Sequence, residues 1–114
     1  MVRPGRLRKG AEFDAVFKEG SVVAGPLFVL RYGRASGASP RWGFAVGKKL
    51  ARRSVTRNEV RRKMRAAARR LMGLRPCDIV VIARQGALMA EVGDFESALV
   101  RSLAKAGLLE RPGT

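Results

Sequence analysis

Phe13, Val16 and Phe17 fall at i, i+3 and i+4 within GAEFDAVFKEG (residues 10–20), a spacing that predicts a short helix with one apolar face, ending at Gly20. The period then changes. PLFVLRYG (26–33) alternates, with Phe28, Leu30 and Tyr32 on one side and Val29 and Arg31 on the other, as in a strand with two different faces. RASGASP (34–40) has the Gly, Ser and Pro content of a turn, and RWGFAVG (41–47) reads as a second strand running into Lys48 and Lys49. Helical spacing returns from about Ser54 to Met72, where Val60, Met64, Ala67 and Leu71 form one narrow apolar stripe. Ser54 or Thr56 is the expected cap, Thr56 with Glu59 fits capping-box spacing, and Leu-Arg-Pro at 74–76 stops the helix.

CDIVVIAR (77–84) is a continuous apolar run, expected for a strand covered on both faces. QGALMAEVG leaves its own structure open. Asp94 stands where an N-cap belongs, followed by a stripe of Phe95, Leu99, Ser102, Leu103 and Ala106 that ends at Gly107. The resulting order, α-β-β-α-β-α, predicts one α+β domain with a mixed sheet and helices packed against it.

Charge changes the picture. The 114 residues carry a formal net charge of +15, far more than solubility needs, and nucleic acid is the usual partner of such a field. Eleven basic side chains lie between Lys48 and Arg70, against one acid, Glu59. On a helical projection Asn58, Arg62, Arg65 and Arg69 lie opposite the apolar stripe. Arg57 and Arg61 form one flank, and Glu59, Lys63 and Arg70 the other. Glu59 is accounted for by Lys63 four residues on and by the helix dipole; the remaining arginines have no acid within helical reach. A merely solvated face leaves that repulsion unrelieved, and the stripe lacks the aromatics of a membrane-bound helix. A polyanion relieves it, and arginine's planar fork suits phosphate.

Other chemistry is narrowed by what is missing. Histidine is absent and Cys77 is the single cysteine, which removes His-based nucleophile activation, disulfides within the chain and thiolate metal clusters. No apolar stretch approaches the ~20 residues of a membrane span. A soluble cytoplasmic protein is the expectation. Glu12, Asp14, Asp78 and Asp94 are the carboxylates a self-contained metal nuclease would use, but they are scattered without ligand-like spacing. From charge alone, a small ribosomal or other structural RNA-binding protein stays open as an alternative.

EFDAVFKEG (12–20), RWGFAVGKK (41–49), SVTRNEVRRKMR (54–65) and DIVVIAR (78–84), in that order, closely resemble the protein subunit of bacterial ribonuclease P. The resemblance runs from about residue 7 to residue 106 of a single domain spanning 1–114, after a basic arm at 1–9. It implies an α-β-β-β-α-β-α sandwich with a left-handed crossover at the basic helix and an additional short strand near Ser21 to Ala24. Pattern alone points to the common right-handed connection instead. The function implied is RNA-catalysed, Mg²⁺-dependent removal of the 5′ leader of precursor tRNA. The RNA subunit holds the metal, the protein has no catalytic residue, and no obligate protein partner is implied.

By the same resemblance, Lys48, Lys49, Arg57, Asn58, Arg61, Arg62, Arg65 and Arg69 would contact the catalytic RNA, and Phe13, Phe17, Val29 and Arg31 would line the leader cleft. From the residues alone, both phenylalanines read more readily as ordinary core, and it is the resemblance that turns them to the cleft. Three positions depart from the family. Glu59 replaces the arginine usual after Arg-Asn. Arg31 stands where a cleft tyrosine is common, with Tyr32 expected on the other face. LARRSVT is one residue longer than usual, which blurs the equivalences at Arg52 and Arg53.

Overall fold

The alternation within Asp78–Ala83 organises the molecule. In the computed structural model, which describes residues 5–7, 11–33 and 37–109, this segment is the central strand of a five-stranded mixed sheet. In chain order the strands are β1 (Gly5–Arg6), β2 (Ser21–Ala24), β3 (Phe28–Gly33), β4 (Arg41–Ala45) and β5 (Asp78–Ala83), arranged β1-β4-β5-β3-β2. The helices are α1 (Ala11–Glu19), α2 (Ser54–Arg69) and α3 (Val92–Lys105). β5 runs parallel to β4 and antiparallel to β3, so α2 is the crossover joining two parallel neighbours. The α+β order follows the sequence reading. The short strand at Ser21–Ala24 is present, and Gly5–Arg6 of the basic arm adds an edge strand parallel to β4 that no pattern signalled.

Both faces of β5 are covered, as its unbroken apolar run requires. Ile79 and Val81 are buried among Phe28, Leu30, Trp42, Met64, Phe95 and Leu99 on the α2/α3 face. Val80 is buried on the other face with Leu7 and Val16, with Phe13 and Ile82 packed against them. Full burial of each such aliphatic side chain stabilises by about 1.5–3 kcal/mol. α1 is therefore a lone helix on one face, held by a small cluster, while the larger core lies under α2 and α3.

Local chemistry sets the ends of the elements. α1 stops at Gly20, whose N–H donates to the Val16 carbonyl at 2.8 Å. A Cβ there would stand 2.2 Å from that oxygen and 2.5 Å from the Tyr32 carbonyl, so only glycine lets α1 approach β3 this closely. α2 begins after Arg53 with no side-chain cap, so neither Ser54 nor Thr56 serves as expected, and it ends at Arg69 rather than Met72. Arg57 supplies the restraint instead, as described below. The open segment after β5 is a 3₁₀ helix at Gln85–Met89. Glu91, not Asp94, is the N-cap of α3; Asp94 is the N3 partner in a reciprocal capping box and accepts from the Glu91 N–H at 2.9 Å. Gly107, at φ 76°, closes α3 with Leu108 N–H donating to the Leu103 carbonyl at 2.9 Å, a Schellman arrangement.

Candidate nucleic-acid interface

Register assigns the α1 face of the sheet. Val29 pairs with Ile82 and Arg31 with Val80 across β3 and β5, while Gly43 pairs with Val80 and Ala45 with Ile82 across β4 and β5. These side chains share one face because directly paired residues point the same way. Tyr32 pairs with Ile79 and packs into the opposite core, as its parity demanded. Val16 and Phe13 cover part of the α1 face. The Phe13 ring lies so close over Gly43 that a Cβ there would be 2.4 Å from its Cζ. Phe17 remains 38% exposed, and Val29, Arg31, Ala45 and Ile82 are only half-buried.

The result is a shallow cleft beside α1, with apolar floor and aromatic wall. Arg31 lies over the Phe17 ring, 5.0 Å from the centroid, and its Nη1 donates to the Phe17 carbonyl at 3.4 Å. All four sequence-predicted cleft residues, Phe13, Phe17, Val29 and Arg31, are thus brought to one surface. Sequence reasoning missed Ala45 and Ile82 as its half-buried floor; Gly43 and Val80, on the same sheet face, are buried beneath Phe13 and Val16. The period-2 alternation of β5 contained the signal for Ile82, but a continuous apolar strand hides which face is open.

The second surface is built by the crossover. A tight turn after β4, with Leu50 and Ala51 N–H both donating to the Gly47 carbonyl at 3.1 Å, leaves Lys48 and Lys49 exposed. Arg57 Nη1 donates to the Ala51 carbonyl at 2.9 Å and the Arg52 carbonyl at 2.7 Å, which ties this loop to the first turn of α2. Arg61 donates to Asn58 Oδ1 at 2.9 Å. Arg65 lies over Phe44, 5.7 Å from the ring centroid, and Phe44 is itself stacked on Trp42. Val60, Met64, Ala67 and Ala68 bury the opposite side of α2.

The charge balance differs from the helical projection in two respects. Glu59 pairs with Arg62, three residues on, rather than with Lys63. Hydrogen bonds from Arg62 hold the Glu59 carboxyl below the usual carboxylate range. Lys63 reaches away to the Ala90 carbonyl at 3.2 Å and to Glu91 at 3.5 Å, and Arg70 pairs with Glu96 at 3.3 Å. So Arg62 does have an acid within helical reach, and α3 and its N-cap supply two more acids, Glu96 and Glu91. Among the described residues, Lys48, Lys49, Arg52, Arg53 and Arg69 have no ion-pair partner, and all are exposed. Such cations, presented from a loop and helix that are fixed by backbone bonds, concentrate uncompensated positive charge on one exposed surface.

Metal chemistry finds less support in the geometry. Asp14, Asp78 and Asp94 belong to α1, β5 and α3 respectively, and Asp94 is engaged in capping. Among the described residues no three His, Cys, Asp or Glu side chains gather as a metal would require. Nor is any described helix long and apolar enough to cross a membrane.

Residues 1–107 match the family Ribonuclease P. The chain is 40% identical over 112 residues to the ribonuclease P protein component of Shouchella clausii, covering 96% of this chain and 91% of that one. It is 36% identical over 111 residues to that of Xanthomonas campestris, covering 96% and 74%. Its structure is similar to the ribonuclease P protein of Staphylococcus aureus, with a TM-score of 0.81 at 29% identity over 95% of this chain and 100% of the other. The Thermotoga maritima ribonuclease P protein gives 0.78 at 27% identity, covering 88% and 96%. A basic crossover helix, an aromatic cleft on the opposite sheet face and agreement along nearly the whole chain lead to one conclusion: the chain belongs to the ribonuclease P protein family.

Proposed function

We propose that this chain is the RNA-binding protein subunit of a ribonuclease P holoenzyme that removes the 5′ leader of precursor tRNA. In this reading Lys48, Lys49, Asn58, Arg61, Arg62 and Arg69 meet phosphates of the catalytic RNA. Arg57 orients the Lys48–Arg53 loop, and Arg65 braces α2 on β4 while adding charge. Phe13, Phe17, Val29 and Arg31 hold single-stranded leader. The observation that carries the reading is the separation of two surfaces by the sheet. Exposed cations without described acid partners surround α2, and a half-open aromatic cleft lies beside α1 on the other face.

The surfaces perform different work. Fixed guanidinium and ammonium groups neutralise phosphates and release condensed counterions, which gives affinity without sequence readout. Rings and planar guanidinium groups stack unpaired bases, which suits a flexible leader rather than a duplex. Holding leader and RNA on one rigid scaffold raises the local concentration of the scissile bond at the RNA's catalytic centre.

No step is assigned to a protein side chain. Among the described residues no carboxylates gather as a metal site, and Mg²⁺ held by oxygens of the partner RNA would supply the Lewis acid and activated water for in-line hydrolysis. The test is to reconstitute the chain with ribonuclease P RNA and follow leader cleavage at limiting Mg²⁺. Stimulation by the chain, with none by the chain alone, is expected. Association only with ribosomal RNA would refute the assignment.

A further inference from the structure

A third surface is left over once α2 and the α1 cleft are accounted for. Between the β2–β3 turn and α3 lies a recess of about 280 Å³. Pro26, Leu27, Phe28 and Ala98 give it apolar walls, and Arg101 and Lys105 line it from α3. Those two cations are four residues apart, on one helix face, and both are exposed. Neither is ion-paired with an acid among the described residues.

The walls are held in place. Gly25 N–H donates to the Phe28 carbonyl at 3.0 Å, closing the turn, while Arg84 clamps it from outside. The Arg84 Nη1 donates to the Gly25 carbonyl at 2.9 Å and its backbone N–H to the Leu27 carbonyl at 2.9 Å. Gly86 packs so tightly on the turn that a Cβ there would be 2.7 Å from the Pro26 oxygen. A recess that exists before any ligand arrives is what a binding pocket requires, and this one is slightly smaller than the ~300–1,000 Å³ usual for drug-sized ligands.

We propose that this recess takes one unpaired nucleotide of the partner RNA, its base against Leu27, Phe28 and Ala98 and its phosphate between Arg101 and Lys105. Chemistry favours this occupant. Two adjacent cations match one phosphate group, the apolar walls match the face of a base, and the volume suits a single residue of polymer. The site is distinct from the leader cleft because Phe28 faces the α2/α3 side of the sheet and α1 covers the other. The inference rests on the RNA-binding reading above.

The test uses the full ¹⁵N-labelled chain titrated with uridine 5′-monophosphate, with uridine and inorganic phosphate as separate probes. Saturable amide shifts are expected at Gly25, Leu27, Phe28 and Ser102, larger with the monophosphate than with either fragment. R101Q/K105Q should abolish those shifts and leave shifts along Lys48–Arg70 intact, and R101K should retain them. In complexes with ribonuclease P RNA, R101Q/K105Q should lower the slope of log affinity against log salt by about 0.7–0.9 for the lost phosphate. Shifts confined to Lys48–Arg70, with an unchanged slope in the variant, would overturn the recess and leave the RNA reading standing. Failure of the chain to associate with the RNA at all would overturn both.

Discussion

The Arg31 guanidinium lies over the Phe17 ring, 5.0 Å from its centroid. An exposed cation–π contact of this kind is worth about 0.5–1 kcal/mol, less than the ~1–3 kcal/mol of a base stacked on an aromatic ring. Under the proposed function, an incoming leader base would displace Arg31 from the ring and free its guanidinium for the leader backbone, or would stack on the guanidinium itself. Phe17→Ala is expected to weaken precursor tRNA binding roughly 5- to 150-fold while sparing mature tRNA. Arg31→Tyr should retain affinity but flatten its salt dependence by about 0.7 in the log–log slope. Equilibrium binding of both tRNA forms across a salt series checks the two together. Equal losses for precursor and mature tRNA would count against a leader cleft.

Gly43 sets the depth of that cleft. With Phe13 Cζ standing 2.4 Å from where its Cβ would be, Gly43→Ala must push the ring away from β4. Overpacking of this kind costs about 1–3 kcal/mol, so a lowered urea midpoint is expected. The displaced ring should also weaken precursor binding beyond the effect on stability, measured at a temperature where the variant is fully folded. A variant as stable as the parent would mean that the ring has somewhere else to go.

How much of this was readable from residues alone differs by element. The central strand and α2 were legible because an unbroken apolar run and a strict 3.6-residue stripe each admit few alternatives. The ends of α2 were not, since its start is restrained by Arg57 reaching back to the Ala51 and Arg52 carbonyls, a bond that no capping rule describes. β1 was hidden because two residues pairing with β4 leave no periodicity. The cleft residues on α1 and β3 were carried by the family resemblance, because Phe13 and Phe17 at helical spacing look like ordinary core. The β4 and β5 contributions emerge only from register. Lys63 was assigned to Glu59, and the partner of Arg70 went unseen, for a similar reason: Glu91, the N-cap of α3, and Glu96 within α3 lie far along the chain.

Glu59 offers a test of the basic face. Its pairing with Arg62 occupies a guanidinium that the proposed interface would otherwise present to phosphate. Removing the acid in Glu59→Gln should tighten RNA binding and steepen its salt dependence. Neutralising Arg61 and Arg62 together should flatten that dependence. If six to ten phosphates are engaged, the parent protein loses roughly 10³–10⁵ in affinity between about 50 and 200 mM salt. Because Arg62 hydrogen bonds hold the Glu59 carboxyl low, the pair's contribution to the fold is present above the ordinary carboxylate range. It fades as pH falls through the depressed value.

Cys77 makes a prediction about reactivity. Burial, with a smaller contribution from the Asp78 charge, pushes its thiol up to about 12 from the ordinary 9.0. The folded protein should therefore resist thiol alkylation at pH 8, and urea-unfolded chain should react at the rate of a free cysteine. The sign for stability follows from the raised value. Stability from the neutral thiol is intact below the unfolded value near 9 and is lost progressively as pH climbs towards 12. Rapid alkylation under native conditions would show that the Cys77 environment opens readily.

The central claim is that the chain supplies binding and RNA supplies chemistry. The most direct measurement is single-turnover cleavage of a 5′-leader precursor tRNA by ribonuclease P RNA at low Mg²⁺, with and without the chain. Cleavage should be strongly accelerated with the chain present, lost when Lys48, Lys49, Arg61 and Arg62 are neutralised together, and absent with the chain alone. Cleavage by the chain without RNA, or no difference on adding it, would contradict the claim.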